Sequence, residues 1–127
     1  MIKLIKNVKV YSPDFLGTKD VLILGDKIAG IEDEIKLKVS CMEVEEIDGT
    51  GKILTPGFID SHVHILGGGG EGGFKTRTPE ITLTTLTKAG VTTVVGTLGT
   101  DGLARDTSAL LAKARGLEEE GITSYIY

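Results

Sequence analysis

His62 and His64 are the only imidazoles in the chain. They stand two residues apart at the end of an apolar stretch, Phe58 to His64, whose composition predicts a strand. Alternate residues of a strand project from one face, so the two rings are placed side by side. Paired imidazoles offer nitrogen lone pairs to a divalent ion. A bare His-x-His also occurs as an ordinary hydrogen-bonded pair. The setting favours the metal, because a Pro56-Gly57 turn leads into the strand and a loop rich in backbone donors follows it. Asp60 shares the face of the histidines. It can orient an imidazole or cap a local turn, and it is not counted as a ligand.

That loop, Gly67 to Gly73, contains six glycines around one charged side chain, Glu71. Bare backbone N–H groups can cradle an anion such as a carboxylate, and the glutamate can pair with a cation. An α-amino acid carries both charges. The competing reading is a flexible linker. Gly67-x-Gly69-x-x-Gly72 formally fits a dinucleotide loop, but that pattern opens a helix directly and needs an acid about 20 residues on. The helix expected here starts only at Pro79, and position 92 is threonine. A phosphate-loop reading fails because Phe74 interrupts Gly73-Phe74-Lys75-Thr76. Thr100 lies beyond a predicted strand, as a substrate contact or a turn threonine. Arg77 can pair with Glu80 or steady the glycine loop, and Asp101 and Asp106 suit a turn and a cap.

The elements that must carry these residues fall into two zones. Residues 1–56 are β-rich: Ile2 to Tyr11 reads as a strand, Val21 to Leu24 as a short one, Gly25-Asp26-Lys27 as the turn of a hairpin completed by Ile28 to Ile31, and Val44 to Ile47 as another strand. Glu32 to Ser40 is expected to be loop. After Pro56-Gly57 the period changes. Thr78-Pro79-Glu80 predicts a helix start, with the helix running to Ala89 and stopping at Gly90. Val91 to Val95 is a β-branched strand. Asp106-Thr107-Ser108 caps a second helix that turns Leu110, Leu111, Ala114 and Leu117 inward and Glu118 to Glu120 outward, and Ile122 to Tyr127 is a third strand. The fold class is therefore α/β: a small amino-terminal β-sandwich-like subdomain (1–56), then the first three β/α units of a (β/α)8 barrel (57–127). A whole barrel takes about 250 residues, so the expectation is the amino-terminal part of a longer enzyme. The alternative is a small three-stranded domain complete as it stands.

Composition narrows the functions. Fourteen Lys+Arg against 18 Asp+Glu leave a net charge of −4, which argues against a nucleic-acid surface. The longest apolar run, Val21 to Leu24, cannot cross a bilayer. No apolar signal core follows Lys3 and Lys6, and a single Cys41 excludes an internal disulfide framework, so a reducing cytoplasm is expected.

Pro56-Gly57-Phe58-Ile59-Asp60-Ser61-His62-Val63-His64 resembles the signature of the amidohydrolase superfamily, (β/α)8 metalloenzymes with a small β domain. Gly67-Gly68-Gly69-Gly70-Glu71, Thr76-Arg77-Thr78-Pro79-Glu80, Ala89-Gly90-Val91-Thr92 and Gly99-Thr100-Asp101 are similar to the isoaspartyl dipeptidase family within it. The resemblance implies a metal pair, usually zinc, bridged by hydroxide, with His62 and His64 as ligands of one ion. It implies a dipeptide substrate joined through the β-carboxyl of aspartate, with Glu71 on its α-ammonium, Gly69 and Gly70 as backbone contacts, and Thr100 as a further contact. A metal-bound water is acidic enough to be hydroxide at neutral pH. The resemblance further implies a carboxylated lysine, more histidines and an aspartate, none assignable here, so the 127 residues alone are expected to be inactive. Oligomeric family members imply a homo-oligomer at full length. The rivals are a cyclic amidase of the dihydroorotase or hydantoinase kind, and a non-catalytic anion- or dinucleotide-binding module.

Overall fold

A computed structural model describes residues 1–127. They divide into two compact units, Met1–Pro56 and Gly57–Tyr127. No helix is long and apolar enough to cross a membrane.

The first unit is one mixed sheet. Strands β1 (Ile2–Tyr11), β2 (Phe15–Leu24), β3 (Lys27–Glu32), β4 (Val44–Asp48) and β5 (Ile53–Leu54) are arranged β3-β2-β1-β4, with β5 also on β1. β1–β2 and β2–β3 pair antiparallel, whereas β4 and β5 run parallel to β1. A single sheet replaces the sandwich expected from the run of short strands. Apolar alternation marks strands but does not say whether they pair edge to edge or lie in facing layers. β2 also extends well before Val21, because Thr18 and Lys19 join the ladder through their backbones despite polar side chains. Val8, Val10 and Val21 form the core, with Ile5, Ile23, Ile31 and Leu54 packed on it.

One buried acid organises this sheet. The β1–β2 register shifts between Ile5 and Val8, and Asn7 there takes φ +56°, a conformation asparagine tolerates. Asp20, 2% exposed, accepts the Asn7 N–H and the Ile35 N–H, each at 3.0 Å, and lies 3.7 Å from Lys6 Nζ. Burial pushes the Asp20 carboxyl up, but these two N–H groups and Lys6 outweigh it and hold it below its ordinary value. A lowered folded-state value makes the contribution full above the unfolded pKa near 3.8 and lost as pH falls through the folded one. Asp20→Asn should cost about 1–3 kcal/mol at neutral pH, read as faster amide exchange in β1 and β2. The gap between variant and parent should shrink below pH ~4.

The second unit is a parallel sheet in the order β6 (Phe58–Val63), β7 (Val91–Gly96), β8 (Thr123–Ile126). Helix α1 (Leu83–Lys88) connects the first pair and α2 (Thr107–Glu119) the second. Leu86 of α1 and Leu110, Ala114 and Leu117 of α2 pack with Val94, Ile122, Ile65 and Leu66. The three strands form an open sheet, so the architecture seen is mixed α/β with two sheets.

Two helix expectations change. The first helix starts at Leu83, capped by Thr82, not at Pro79. Residues 78–81 are tied to other segments and form no helix: Thr78 N–H and Oγ1 both donate to the Gly68 carbonyl, and Ile81 N–H to the Ile65 carbonyl. These bonds override the cap-Pro-acid signal, and threonine-rich sequence offers little helical preference against them. In α2, Asp106 caps as expected, but Leu111 is exposed. Leu110, Ala114 and Leu117 follow the i, i+4, i+7 stripe, and Leu111 falls one position off it.

Candidate functional site

β6 ends at Val63, so His64 stands just past the strand that was expected to include it. The two imidazoles are brought together, with centroids 5.4 Å apart and planes at 81°. His64 Nδ1 lies 3.4 Å from the Thr97 carbonyl. A carbonyl only accepts, so this contact puts the proton on Nδ1 and leaves the Nε2 lone pair free. His62 Nδ1 lies 2.5 Å from the Tyr127 hydroxyl, which can donate or accept, so this contact fixes the ring but not its tautomer; Nε2 ligates when Nδ1 is the donor. Asp60 accepts the His62 backbone N–H at 3.2 Å. Accepting from a backbone group belongs to either role considered for it.

A second contact at Nδ1 is the usual arrangement for an imidazole that ligates through Nε2, so the pair fits a divalent ion as two ligands. It does not complete a site: no group of three or more His, Cys, Asp or Glu side chains is placed to hold a metal. Two nitrogens fill half of a tetrahedral shell.

The glycine loop wraps the His64 side of the pair. Gly67 N–H donates to the His64 carbonyl at 2.7 Å, and a Cβ built on Gly68 would sit 3.5 Å from the His64 ring. Gly67 and Gly69 have φ of +89° and +74°. A Cβ on Gly67 would collide with the Thr78 and Pro79 carbonyls, and one on Gly69 with the Thr76 carbonyl. Positive φ and close backbone approach together demand glycine at both positions. Gly67→Ala should therefore cost about 2 kcal/mol or more and speed amide exchange from 67 to 78, while β7 exchange stays unchanged.

The loop leaves the N–H groups of Gly69 and Gly70 without a hydrogen bond inside the protein. These are the two positions proposed from sequence for backbone contact with substrate. Glu71 is exposed. Its own backbone N–H, the Thr100 hydroxyl and a weaker attraction from His64 hold its carboxyl below the ordinary value. The single Thr100 proton serves one acceptor at a time, and the Gly69 carbonyl is its alternative at 3.1 Å. Glu71, Thr100, the glycines and His64 thus form one cluster, with the carboxylate ionised at neutral pH.

Two side chains in this region were not legible as such. Arg77 pairs with neither Glu80 nor the loop directly. Its Nε lies 2.6 Å from Asp101 Oδ2, out of line for a hydrogen bond, while Glu80 pairs with Lys113. Asp101 Oδ1 accepts from the Leu103 and Ala104 N–H groups, the turn role expected of it. Arg105 is buried and donates to the Gly67, Gly68 and Thr78 carbonyls. A hint was present in the sequence: a cation directly before a helix cap opposes the helix dipole, so something else must hold it there.

No family model matches the chain. A solved β-aspartyl dipeptidase of Fervidobacterium islandicum AW-1, in complex with β-Asp-Leu dipeptide, is 51% identical across the whole chain, with a TM-score of 0.89. A solved dihydropyrimidinase of Brevibacillus agri is 30% identical over the whole chain, with a TM-score of 0.69. A dihydroorotase of Staphylococcus epidermidis is 40% identical over 70 residues, 55% of this chain. The chain spans 33% of the solved dipeptidase, 27% of the dihydropyrimidinase and 16% of the dihydroorotase. The resemblance read from the histidine pair and the glycine loop is thus a likeness to β-aspartyl dipeptidase over the full 127 residues, alongside other amidohydrolase superfamily members.

Proposed function

We propose that this chain supplies the first metal-binding strand and the substrate-ammonium loop of a metal-dependent β-aspartyl (isoaspartyl) dipeptidase of the amidohydrolase superfamily. In this reading residues 1–56 are the small β subdomain and 57–127 the start of the hydrolase barrel. The carrying observation is the cluster itself: a glycine loop folded on His64 with an ionised glutamate and two free N–H groups.

His62 and His64 would hold one divalent ion, zinc in the reading favoured here, through their free Nε2 atoms. Such an ion makes a bound water acidic and polarises the amide carbonyl. Glu71 binds the α-ammonium of the aspartyl residue, and Thr100 orients the Glu71 carboxylate or the loop carbonyl beside it. The Gly69 and Gly70 N–H groups receive a substrate carboxylate oxygen. An α-amino acid terminus fits this pairing of one anion and two donors, and a neutral amide does not. The remaining metal ligands and the proton-transfer group are assigned to the portion that corresponds to the other two thirds of the solved dipeptidase. The lone exposed Cys41 suits a reducing, cytoplasmic setting.

The dihydroorotase match favours a second reading, hydrolysis of a cyclic amide. Its substrates carry no ammonium for Glu71. A chimera decides between them: residues 1–127 replace the equivalent third of the Fervidobacterium enzyme. Turnover of β-Asp-Leu with none of dihydroorotate supports the dipeptidase reading. The reverse pattern supports the cyclic amidase, and loss of both rejects the site.

A further inference from the structure

Resting on the reading of Glu71 as the ammonium partner, we propose that Arg105 is a positioning residue whose buried guanidinium staples the two limbs of the glycine loop and so fixes where Glu71 stands. Arg105 is 8% exposed, and none of the ion pairs in the chain includes it. Its Nη1 donates to the Gly67 carbonyl at 2.7 Å and the Gly68 carbonyl at 3.1 Å, and its Nη2 to the Thr78 carbonyl at 2.5 Å. Gly67 and Gly68 enter the loop, and Thr78 leaves it. One planar fork therefore joins both limbs, which a lysine ammonium on a flexible stem cannot reproduce.

Apart from its attraction to the Asp101 carboxylate, the start of a helix opposes a cation here. Arg105 immediately precedes Asp106, the cap of α2, where the helix dipole repels positive charge. Carbonyl oxygens compensate, and without the guanidinium the Gly67 and Thr78 carbonyls lose the donor they have. The stapled segment is the one that carries Glu71. Across its span, Thr100 tethers Gly69 and Asp101 holds Arg77. Arg105 touches no atom assigned to substrate, so its effect on reaction passes through loop shape.

Arg105→Lys and Arg105→Met test this in two ways. In the 127-residue chain, exchange of the hydrogen-bonded loop amides from 72 to 78 should rise about tenfold or more, the scale of losing one hydrogen bond to a charged group. Exchange in α2 and β7 should not change. In the chimera, KM for β-Asp-Leu should rise by a similar factor with kcat within about twofold, while N-acetyl-β-Asp-Leu loses less, because it keeps only the Gly69 and Gly70 contacts and not the one to Glu71. Lysine should restore less than half of either effect. Uniform acceleration across residues 57–127, or an unchanged loop, overturns the staple. Equal losses on the free and blocked substrates overturn its link to Glu71. If the unsubstituted chimera fails on β-Asp-Leu, the functional reading falls while exchange still decides the staple.

Discussion

Glu71→Gln in the chimera should lower kcat/KM for β-Asp-Leu about 10- to 100-fold, mostly through KM, and leave N-acetyl-β-Asp-Leu within about twofold of the parent. The size follows from the interaction removed. An ionised carboxylate on an ammonium is a hydrogen bond to a charged group, which contributes about 1.5–3 kcal/mol, and glutamine keeps the shape without the charge. Acetylation removes the substrate's charge, so carboxylate and amide then treat it alike. Glu71 is exposed and joins no buried network, so the substitution leaves folding intact. Steady-state kinetics on the paired substrates make the check. Equal loss on both would reject the ammonium role.

His64→Ala should have a larger effect. Altering a group that merely supports a metal ligand costs about 10- to 100-fold in affinity or activity, so removing a ligand should exceed about 100-fold in the chimera. His64 has a second function: its ring packs on Gly68, and its Nδ1 ties to Thr97. His64→Ala therefore also loosens the loop. His62→Ala separates the two, because His62 is exposed and touches only the Tyr127 hydroxyl and the other ring. It should weaken capture of the ion held by the pair yet leave loop amide exchange unchanged. Metal content and exchange, measured on both variants, check this. A His62 variant that retains full metal content and turnover would contradict the pairing.

What was legible of this region in the sequence was set by local chemistry. Strand periodicity put His62 and His64 on one side. The density of glycine marked a loop of unusual backbone, and the single acid within it stood out as the one charge the loop presents. Asp106 as cap and Asp101 as turn residue rest on bonds two or three residues away, which spacing encodes directly. What could not be read were contacts between distant segments. Thr78-Pro79-Glu80 has the local chemistry of a helix start, but the Gly68 and Ile65 carbonyls accept the Thr78 and Ile81 N–H groups and tie this stretch to a distant segment. Arg105 reaches carbonyls 27 and 38 residues earlier, and a carbonyl leaves no trace in residue type. Whether the strands of residues 1–56 form one sheet or a sandwich was open for a related reason. β4 pairs parallel to β1 across the long connection between Glu32 and Val44, and alternation along a strand does not name its neighbour.

The central claim is that the two imidazoles act as one metal-binding unit through their Nε2 atoms. Long-range proton–nitrogen NMR of the histidine side chains, recorded on the 127-residue chain as zinc is added, tests it most directly. The Nε2 signals of His62 and His64 should move together with the same metal dependence, while both Nδ1 signals keep the character of their contacts with Tyr127 and Thr97. Nε2 signals that stay put, or a shift confined to one ring, would contradict it.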